Sequence, residues 1–173
     1  MALRPAKCYR KHEKPYTRQS KKKPRKSYVK GVPEKKIHRF ETGNKKRKFN
    51  MSAYLVVESD VQIRHNALEA ARVSASKHLN SLGADAYLLK VLVYPHHVIR
   101  ENALATGAGA DRFQTGMRKA FGKPMSTAAQ VSKGQRIIEI RIDSNRKNSA
   151  KRALKLASAK IPSTCRAVFS EVA

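Results

Sequence analysis

The alternation of apolar and polar positions predicts four strands, at residues 53–57, 87–94, 135–143 and 164–170. Residues 87–94 are apolar on both faces apart from Lys90, which is typical of a strand inside a sheet. In 135–143 the isoleucines at alternate positions point to one side, whereas Glu139 and Arg141 point to the other. This second pattern indicates a strand with one face buried and the other in water.

Apolar residues at helical spacing predict a helix ahead of the second strand. Its apolar stripe consists of Leu68, Ala71, Ala75, Leu79 and Leu82. Asn66 and Glu69 resemble a capping box at its start, and Gly83 supplies a stop. The face turned to solvent is expected to hold Glu69, Arg72, Ser76 and Asn80.

A second helix is predicted at residues 146–160, with Pro162 ending it. Its buried face is expected to hold Ala150, Ala153, Leu154, Ala157 and Ile161. Lys147, Lys151 and Lys155 recur every four residues on the opposite face, where they form a basic ridge. Two helices packed on a mixed or antiparallel sheet give an α+β fold with a single core.

The first part of the chain has almost nothing to bury. Half of the 38 Lys and Arg residues lie in the first 50 positions, where Pro5, Pro15 and Pro24 oppose a continuous helix. We therefore predict a basic extended segment at 1–36, ordered by RNA, and an α+β domain at 37–173. A disordered tail that only increases solubility is the alternative. The segment's residues expected to bind RNA are Arg4, Lys7, Arg10, Lys11, Lys14, Tyr16, Arg18, Lys21, Lys22, Lys23, Arg25, Lys26 and Lys30.

The net charge of +26 at pH 7 favours a polyanionic partner, because an isolated globule with this excess of cations would repel itself. Nucleic acid fits, since its binders must neutralise a dense row of phosphates. A membrane surface is the other polyanion, but Lys90 interrupts the longest apolar run, which falls well short of the ~18 residues of a spanning helix. We therefore expect nucleic acid as the partner and no membrane association.

The two cysteines, Cys8 and Cys165, lie far apart, and neither belongs to a CxxC pair. This spacing argues against a zinc site or a disulfide framework. Residues 1–10 are charged with no apolar stretch behind them, so a secretory signal is not expected. These observations predict a cytoplasmic protein without a metal or another cofactor.

Residues 102–127 follow neither periodicity and are predicted to form a long loop, in which four glycines favour mobility. Basic and amide side chains stand there beside aromatic ones. This mixture suits an RNA chain, because cations track phosphates and rings stack on bases. The residues expected to contact RNA in and around the loop are Arg100, Arg112, Phe113, Gln114, Arg118, Lys119, Phe121 and Lys123.

Two features that could indicate catalysis fail on geometry. The Gly-Lys pair at 122–123 matches part of a phosphate-binding loop, but Gly116 is one residue too far upstream and Pro124 replaces the hydroxyl residue that binds Mg²⁺. His96 and His97 are adjacent, and neighbouring residues of an extended chain point to opposite sides. We therefore expect one histidine to be packed, the other to be wet, and neither to be catalytic.

Several runs of residues form a recognisable signature. They are RPAKCYR at 4–10, KPY at 14–16, KGVP at 30–33, LEAAR at 68–72, YPHHVIR at 94–100, GAGADRFQTGMR at 107–118 and AFGKP at 120–124. Together they resemble the universal L-sixteen family of large-subunit ribosomal proteins, in its archaeal and eukaryotic branch, often called L-ten-e. The resemblance covers nearly the whole chain, and the C-terminal end departs from the eukaryotic pattern, which favours an archaeal source.

The resemblance implies an α/β-hammerhead-type sandwich that binds large-subunit rRNA near the aminoacyl-tRNA site and the peptidyl transferase centre. It also implies that the loop at 102–117 is mobile and reaches toward bound tRNA. The residues implied to lie near tRNA are Arg100, Arg112, Phe113, Gln114, Thr115, Arg118, Lys119 and Lys123. The expected partners are rRNA, tRNA and neighbouring ribosomal proteins, with no homo-oligomer, and the basic ridge is expected to bind rRNA.

The residues alone leave two other functional classes open. An RNA-modifying or RNA-cleaving enzyme would use His96 or His97. A chromatin-like architectural protein would bind duplex DNA as well as structured RNA. Neither class explains the signature run at 94–124.

Overall fold

The computed structural model of the protein describes residues 4–12, 17, 22–23 and 27–171. Within them the strands are β1 (Glu41–Gly43), β2 (Met51–Val57), β3 (Val61–Arg64), β4 (Tyr87–Val91), β5 (His97–Glu101), β6 (Lys123–Val131), β7 (Arg136–Ile142) and β8 (Cys165–Glu171). The helices are α1 (His65–Asn80) and α2 (Lys147–Ser158). Across these described residues, no helix combines the length and apolar character needed to cross a membrane.

The strands form two antiparallel sheets rather than the single sheet expected. The larger sheet has the order β1-β4-β7-β2-β8, and the smaller one has the order β3-β6-β5. The predicted α+β class with antiparallel pairing is confirmed. The second sheet escaped prediction because β3 and β5 are short and carry charged or polar residues, which obscures their period. The hammerhead-type arrangement stays a prediction.

The hydrophobic core lies where the two helices meet the five-stranded sheet. The helices pack against each other; α1 also contacts β4 and the smaller sheet, and α2 contacts β2 and β8. Both predicted apolar stripes are buried, apart from Leu82, which follows α1 and is partly buried against the core. Burying each large aliphatic side chain stabilises the fold by about 1.5–3 kcal/mol, so this core fixes the frame on which the basic surface is displayed.

The start of α1 differs from the predicted capping box. The helix begins at His65, so Asn66 lies within its first turn rather than at the N-cap, and its Oδ1 accepts from the Ala67 backbone N–H at 3.0 Å. Glu69 instead forms an ion pair with Arg72, in which Arg72 Nε donates to Glu69 Oε2 at 2.9 Å. The predicted exposure of Ser76 is also wrong, since this small side chain is 7% exposed beside the core stripe.

Glu139 is buried rather than facing solvent. Strand β7 lies inside the larger sheet, where Tyr54 and Lys90 flank Glu139 from the two neighbouring strands. Arg141 Nε donates to Glu139 Oε1 at 2.7 Å, which satisfies the carboxylate. The alternating pattern could not show this burial, because it depends on which strands lie on each side.

The predicted loop at 102–127 is shorter than expected, since β6 begins at Lys123. In the sequence, Gly122 and Pro124 favour a turn. Pro124 nevertheless lies in β6, at the point where the β5–β6 register shifts between Ile99 and Arg100. A residue without an N–H group is tolerated at such an irregularity. The segment at 102–122 therefore connects two paired strands and contains a short 3₁₀ turn at Ala110–Arg112.

Candidate nucleic-acid interface

Residues 4–12 contact both edge strands of the smaller sheet. On the β3 side, the Gln62 backbone N–H donates to Arg10 O at 2.9 Å, and Gln62 Nε2 donates to Tyr9 O at 2.8 Å. On the β5 side, Arg4 Nε lies 2.7 Å from Glu101 Oε1, and the Tyr9 hydroxyl donates to Glu101 Oε2 at 3.0 Å. The basic segment is therefore fixed to the folded domain at its beginning.

The charges at this anchor are arranged around one carboxylate. The hydrogen bond from Arg4, followed by the one from Tyr9, holds the pKa of Glu101 below its ordinary value. Burial, reinforced by Glu101, raises the pKa of the Tyr9 hydroxyl. Arg4 was predicted to bind RNA, but its guanidinium forms an ion pair within the protein. Its side chain is nevertheless 55% exposed. Sequence reasoning missed this pairing because 97 residues separate the two partners.

A basic cavity of about 870 Å³ opens between residues 7–12 and the folded domain. Its lining includes Lys7, Arg10, Lys11 and His12, and also one carboxylate, Asp60. Ser59, Ser163 and Thr164 belong to the same lining, and the Ser59 and Ser163 hydroxyl oxygens lie 2.8 Å apart. Cations and hydroxyl groups together suit a phosphate group, and the Asp60 carboxylate accepts from the Lys133 backbone N–H at 2.7 Å. Three predicted residues thus come together, beside hydroxyl groups that no sequence pattern indicated.

The rest of the predicted basic segment is described only in part. Lys22, Lys23 and Lys30 are exposed, as RNA contacts must be. Lys14, Tyr16, Arg18, Lys21, Arg25 and Lys26 lie outside the described residues. Thr17 and Val29 are each 6% exposed, so parts of the predicted 1–36 segment pack against the fold. The boundary at residue 36 stays a prediction.

The ridge on α2 has the expected geometry. Lys147, Lys151 and Lys155 are all exposed, on the side opposite the buried stripe. Lys147 Nζ lies 5.4 Å from the centre of the Phe169 ring on the neighbouring β8. Arg152 is exposed on the same helix and adds a cation that the four-residue spacing did not include. The row can follow a phosphate backbone without disturbing the core.

Within the loop region, Arg100 supports the protein itself. Its guanidinium carbon lies 3.8 Å from the centre of the Phe121 ring, and Nη1 donates to Phe121 O. Gln114 likewise closes the loop, because its side chain accepts from Ala105 N–H at 2.7 Å and donates to Ala105 O at 2.9 Å. Two residues predicted to lie near RNA therefore shape the loop.

The other predicted loop residues point into solvent. Arg112, Thr115, Arg118, Lys119 and Lys123 are exposed. Phe113 is 86% exposed, which is unusual for a large ring and leaves both of its faces open to a stacking partner. A cavity of about 440 Å³ lies beside this ring. The tip of the loop thus presents a ring and cations together.

Gly122 closes the loop onto β5. Its φ is +78°, and a Cβ atom there would lie 2.7 Å from the carbonyl carbon of Glu101. Only glycine fits this approach. Lys123, the next residue, begins a strand, whereas the lysine of a phosphate-binding NTPase loop precedes a helix. The structure agrees with the rejection of that motif.

The two adjacent histidines face different surroundings, as expected. His97 is half-buried, with Nδ1 3.3 Å from the Thr17 hydroxyl, and burial lowers its pKa. His96 is exposed, and its ring centre lies 4.5 Å from that of Tyr94. Among the described residues, no group of His, Cys, Asp and Glu side chains is arranged to hold a metal ion. Cys165 is partly buried, which raises its pKa to about 11 and favours the thiol.

Known proteins are similar to this chain over nearly its full length. A family model described as ribosomal protein L16p/L10e matches residues 11–168. A protein of Staphylothermus marinus named large ribosomal subunit protein uL16 is 49% identical over 171 residues, which cover 98% of this chain and 94% of that protein.

Two further relatives carry the same name. The protein from Picrophilus torridus is 47% identical over 173 residues, covering 99% of this chain and 94% of the relative. The protein from Methanococcus maripaludis strain C5 is 45% identical over 173 residues, covering 99% and 96% of the two chains. All three source organisms are archaea, and each similarity covers nearly the whole of this chain.

Proposed function

Because the chain belongs to the ribosomal protein L16p/L10e family, we propose that it is a structural constituent of the large ribosomal subunit. The observation that carries this proposal is its similarity, over almost its entire length, to relatives named as large-subunit proteins. The distribution of charge supports it, since 38 basic residues stand against 12 acidic ones. A ribosomal protein of this charge binds rRNA chiefly through phosphate contacts.

Three surfaces supply the proposed RNA contacts. The first is the basic segment, including the cavity lined by Lys7, Arg10 and Lys11. The second is the α2 ridge, whose lysines lie away from the core. The third is the loop at 102–122, where the exposed ring of Phe113 adds stacking to the charges around it.

The three surfaces have different roles in the proposal. The basic segment and the ridge hold rRNA, and the segment's anchor at Glu101 ties one rRNA contact to the smaller sheet. The loop reaches toward tRNA near the aminoacyl site and the peptidyl transferase centre. Its internal bridges from Arg100 and Gln114 hold the loop in shape while Arg112 and Arg118 stay exposed.

The ridge provides a quantitative test of phosphate binding. Replacing Lys147, Lys151 and Lys155 with Gln should make the affinity for archaeal large-subunit rRNA less sensitive to salt. The slope of log K against log salt is negative, and each lost phosphate contact makes it less steep by roughly 0.7–0.9. The slope of the triple variant should therefore be less steep than that of the wild type by about 2–3. Filter binding across a salt series measures this slope.

The control is Lys77→Gln, at an exposed lysine on α1 that is not among the proposed contacts. It should leave the slope as in the wild type. A triple variant with the wild-type slope would remove the ridge from the proposed interface.

A further inference from the structure

An outward row of large side chains follows β4. Residues 92–96 follow the strand as irregular backbone: the Leu92 N–H donates to Ile137 O of β7 at 2.8 Å, and the His96 N–H donates to Tyr94 O at 2.9 Å. Val93 and Pro95 are buried, whereas Leu92, Tyr94 and His96 are exposed. Large exposed side chains clustered in one short segment indicate a contact surface.

The rings of this row form a stack with one end exposed. Tyr94 stacks on Phe40, with ring centres 5.2 Å apart and planes inclined by 24°. The Tyr94 and His96 ring centres are 4.5 Å apart, with planes inclined by 48°. Phe40 is partly buried against the core, while Tyr94 is 43% exposed. The core therefore supports one end of the stack, and the other end meets solvent.

One cation contacts the stack, and two more lie close to it in the sequence. Lys35 Nζ lies 4.7 Å from the centre of the Tyr94 ring and donates to its hydroxyl at 3.0 Å. Lys36 and Arg39 are exposed in the same stretch of chain; of its two acidic neighbours, Glu34 is exposed, and Glu41 is paired with Lys45 and Lys90. A partner that is both planar and anionic fits this arrangement better than an aliphatic protein side chain does.

We propose that the row formed by Tyr94 and His96, supported by Phe40, is a stacking site for an unpaired nucleobase of RNA. Proteins bind single-stranded RNA by combining rings that stack on bases with cations that track phosphates. The rings supply the first component, and Lys35, Lys36 and Arg39 supply the second. The inference rests on the proposed function and adds a base-binding site separate from the loop and the α2 ridge.

The stacking contribution can be separated from phosphate binding by its salt dependence. Tyr94→Leu keeps an apolar contact on Phe40 but removes the ring, and His96→Ala removes the outer ring. Each should lower the affinity for deproteinised archaeal large-subunit rRNA roughly 5- to 150-fold, which corresponds to one lost stacked base. The slope of log K against log salt should stay as in the wild type, because stacking releases no counterions.

His38→Ala is the matched control, since His38 is an exposed histidine of the same basic stretch but not part of the stack. It should bind as the wild type does. Wild-type affinity in both ring variants would overturn the inference, and so would a loss of affinity accompanied by a shallower salt slope. If the wild-type protein itself failed to bind this rRNA, the proposed function would fail first.

The occupant can be identified in the assembled subunit. With Tyr94 replaced by the photoreactive residue p-benzoylphenylalanine, irradiation of isolated large subunits should link the protein to rRNA. Mass spectrometry of the cross-linked peptide then reports the attached group. A nucleotide supports the inference, whereas attachment to another protein overturns it.

Discussion

Single acidic residues in this cationic chain stabilise the fold by pairing with particular lysine and arginine side chains. Glu101 binds Arg4 and Tyr9, and Glu139 binds Arg141. Glu41 lies 2.5 Å from Lys45 Nζ and 3.0 Å from Lys90 Nζ, and these hydrogen bonds lower its pKa to about 2. Because few carboxylates exist and several pair internally, most of the basic residues are left for an external anion.

His65 makes the stability of the fold depend on mild acidification. Its Nδ1 accepts a hydrogen bond from the Lys36 backbone N–H at 3.0 Å. Burial, followed by repulsion from nearby cations, lowers its pKa. In the unfolded chain the histidine has its ordinary pKa of about 6.5, so it binds a proton at a higher pH than in the folded protein. The contribution of neutral His65 to the stability of the fold is therefore complete above about pH 6.5. It is lost as the pH falls through the pKa of His65 in the folded protein.

We predict that His65→Asn reduces the dependence of the unfolding free energy on pH between 7 and 5. The Asn oxygen can accept the bond from Lys36 but does not titrate. Urea unfolding at a series of pH values measures this slope, with His38→Asn as the exposed control. Equal slopes in the wild type and His65→Asn would show that protonation of His65 is not what destabilises the fold. His97, whose pKa is also lowered by burial, contributes in the same direction and leaves a residual slope.

At the scale of the elements, the loop at 102–122 is separate from the core, so its surface and the fold can be altered independently. We predict that replacing Arg112 and Arg118 with Ala leaves thermal stability and incorporation into the subunit unchanged. The binding of tRNA to the variant ribosomes should weaken at least about tenfold, because hydrogen bonds to charged groups contribute roughly 1.5–3 kcal/mol each. Filter binding of aminoacyl-tRNA measures this effect.

Arg166→Ala on β8 is the control for the loop variant, since Arg166 is exposed on a different element. Loss of assembly, with normal tRNA binding in the assembled fraction, would contradict the proposed role of the loop. Gln114 is left out of the variant because its two bonds to Ala105 shape the loop.

Elements with long, regular patterns could be predicted from the sequence, and short or context-dependent ones could not. The stripes of α1 and α2 and the strand at 136–142 needed only the spacing of Leu, Ala and Ile residues. Strand β3 has four residues, and its role as an edge that binds residues 9–10 depends on tertiary contacts. Burial of Glu139 depends on which strands flank β7.

The same limit applied to the candidate site. Helical spacing located the exposed lysines of the ridge, and composition located the charged tip of the loop. It could not show that Arg4 binds Glu101, or that Ser163 and Thr164 line the same cavity as Lys7 and Arg10. These arrangements join residues that are far apart in the chain, and no local spacing encodes them.

At the scale of the whole molecule, the net charge and the similarity to known proteins agree on one class of protein. Membership of the L16p/L10e family confirms the predicted cytoplasmic ribosomal class and the expectation that the protein is not an enzyme. The archaeal source is confirmed by relatives 45–49% identical over nearly the full chain. The enzyme and chromatin-like alternatives are thereby set aside, and the contacts with RNA are what remains to be measured.

The central claim is that this chain is built into the large ribosomal subunit through its basic surfaces. Sucrose-gradient sedimentation of an archaeal lysate, followed by immunoblotting of each fraction for the protein, tests it most directly. The account predicts that the protein sediments with the large subunit and with whole ribosomes at moderate salt. Recovery at the top of the gradient, or with the small subunit alone, would contradict it.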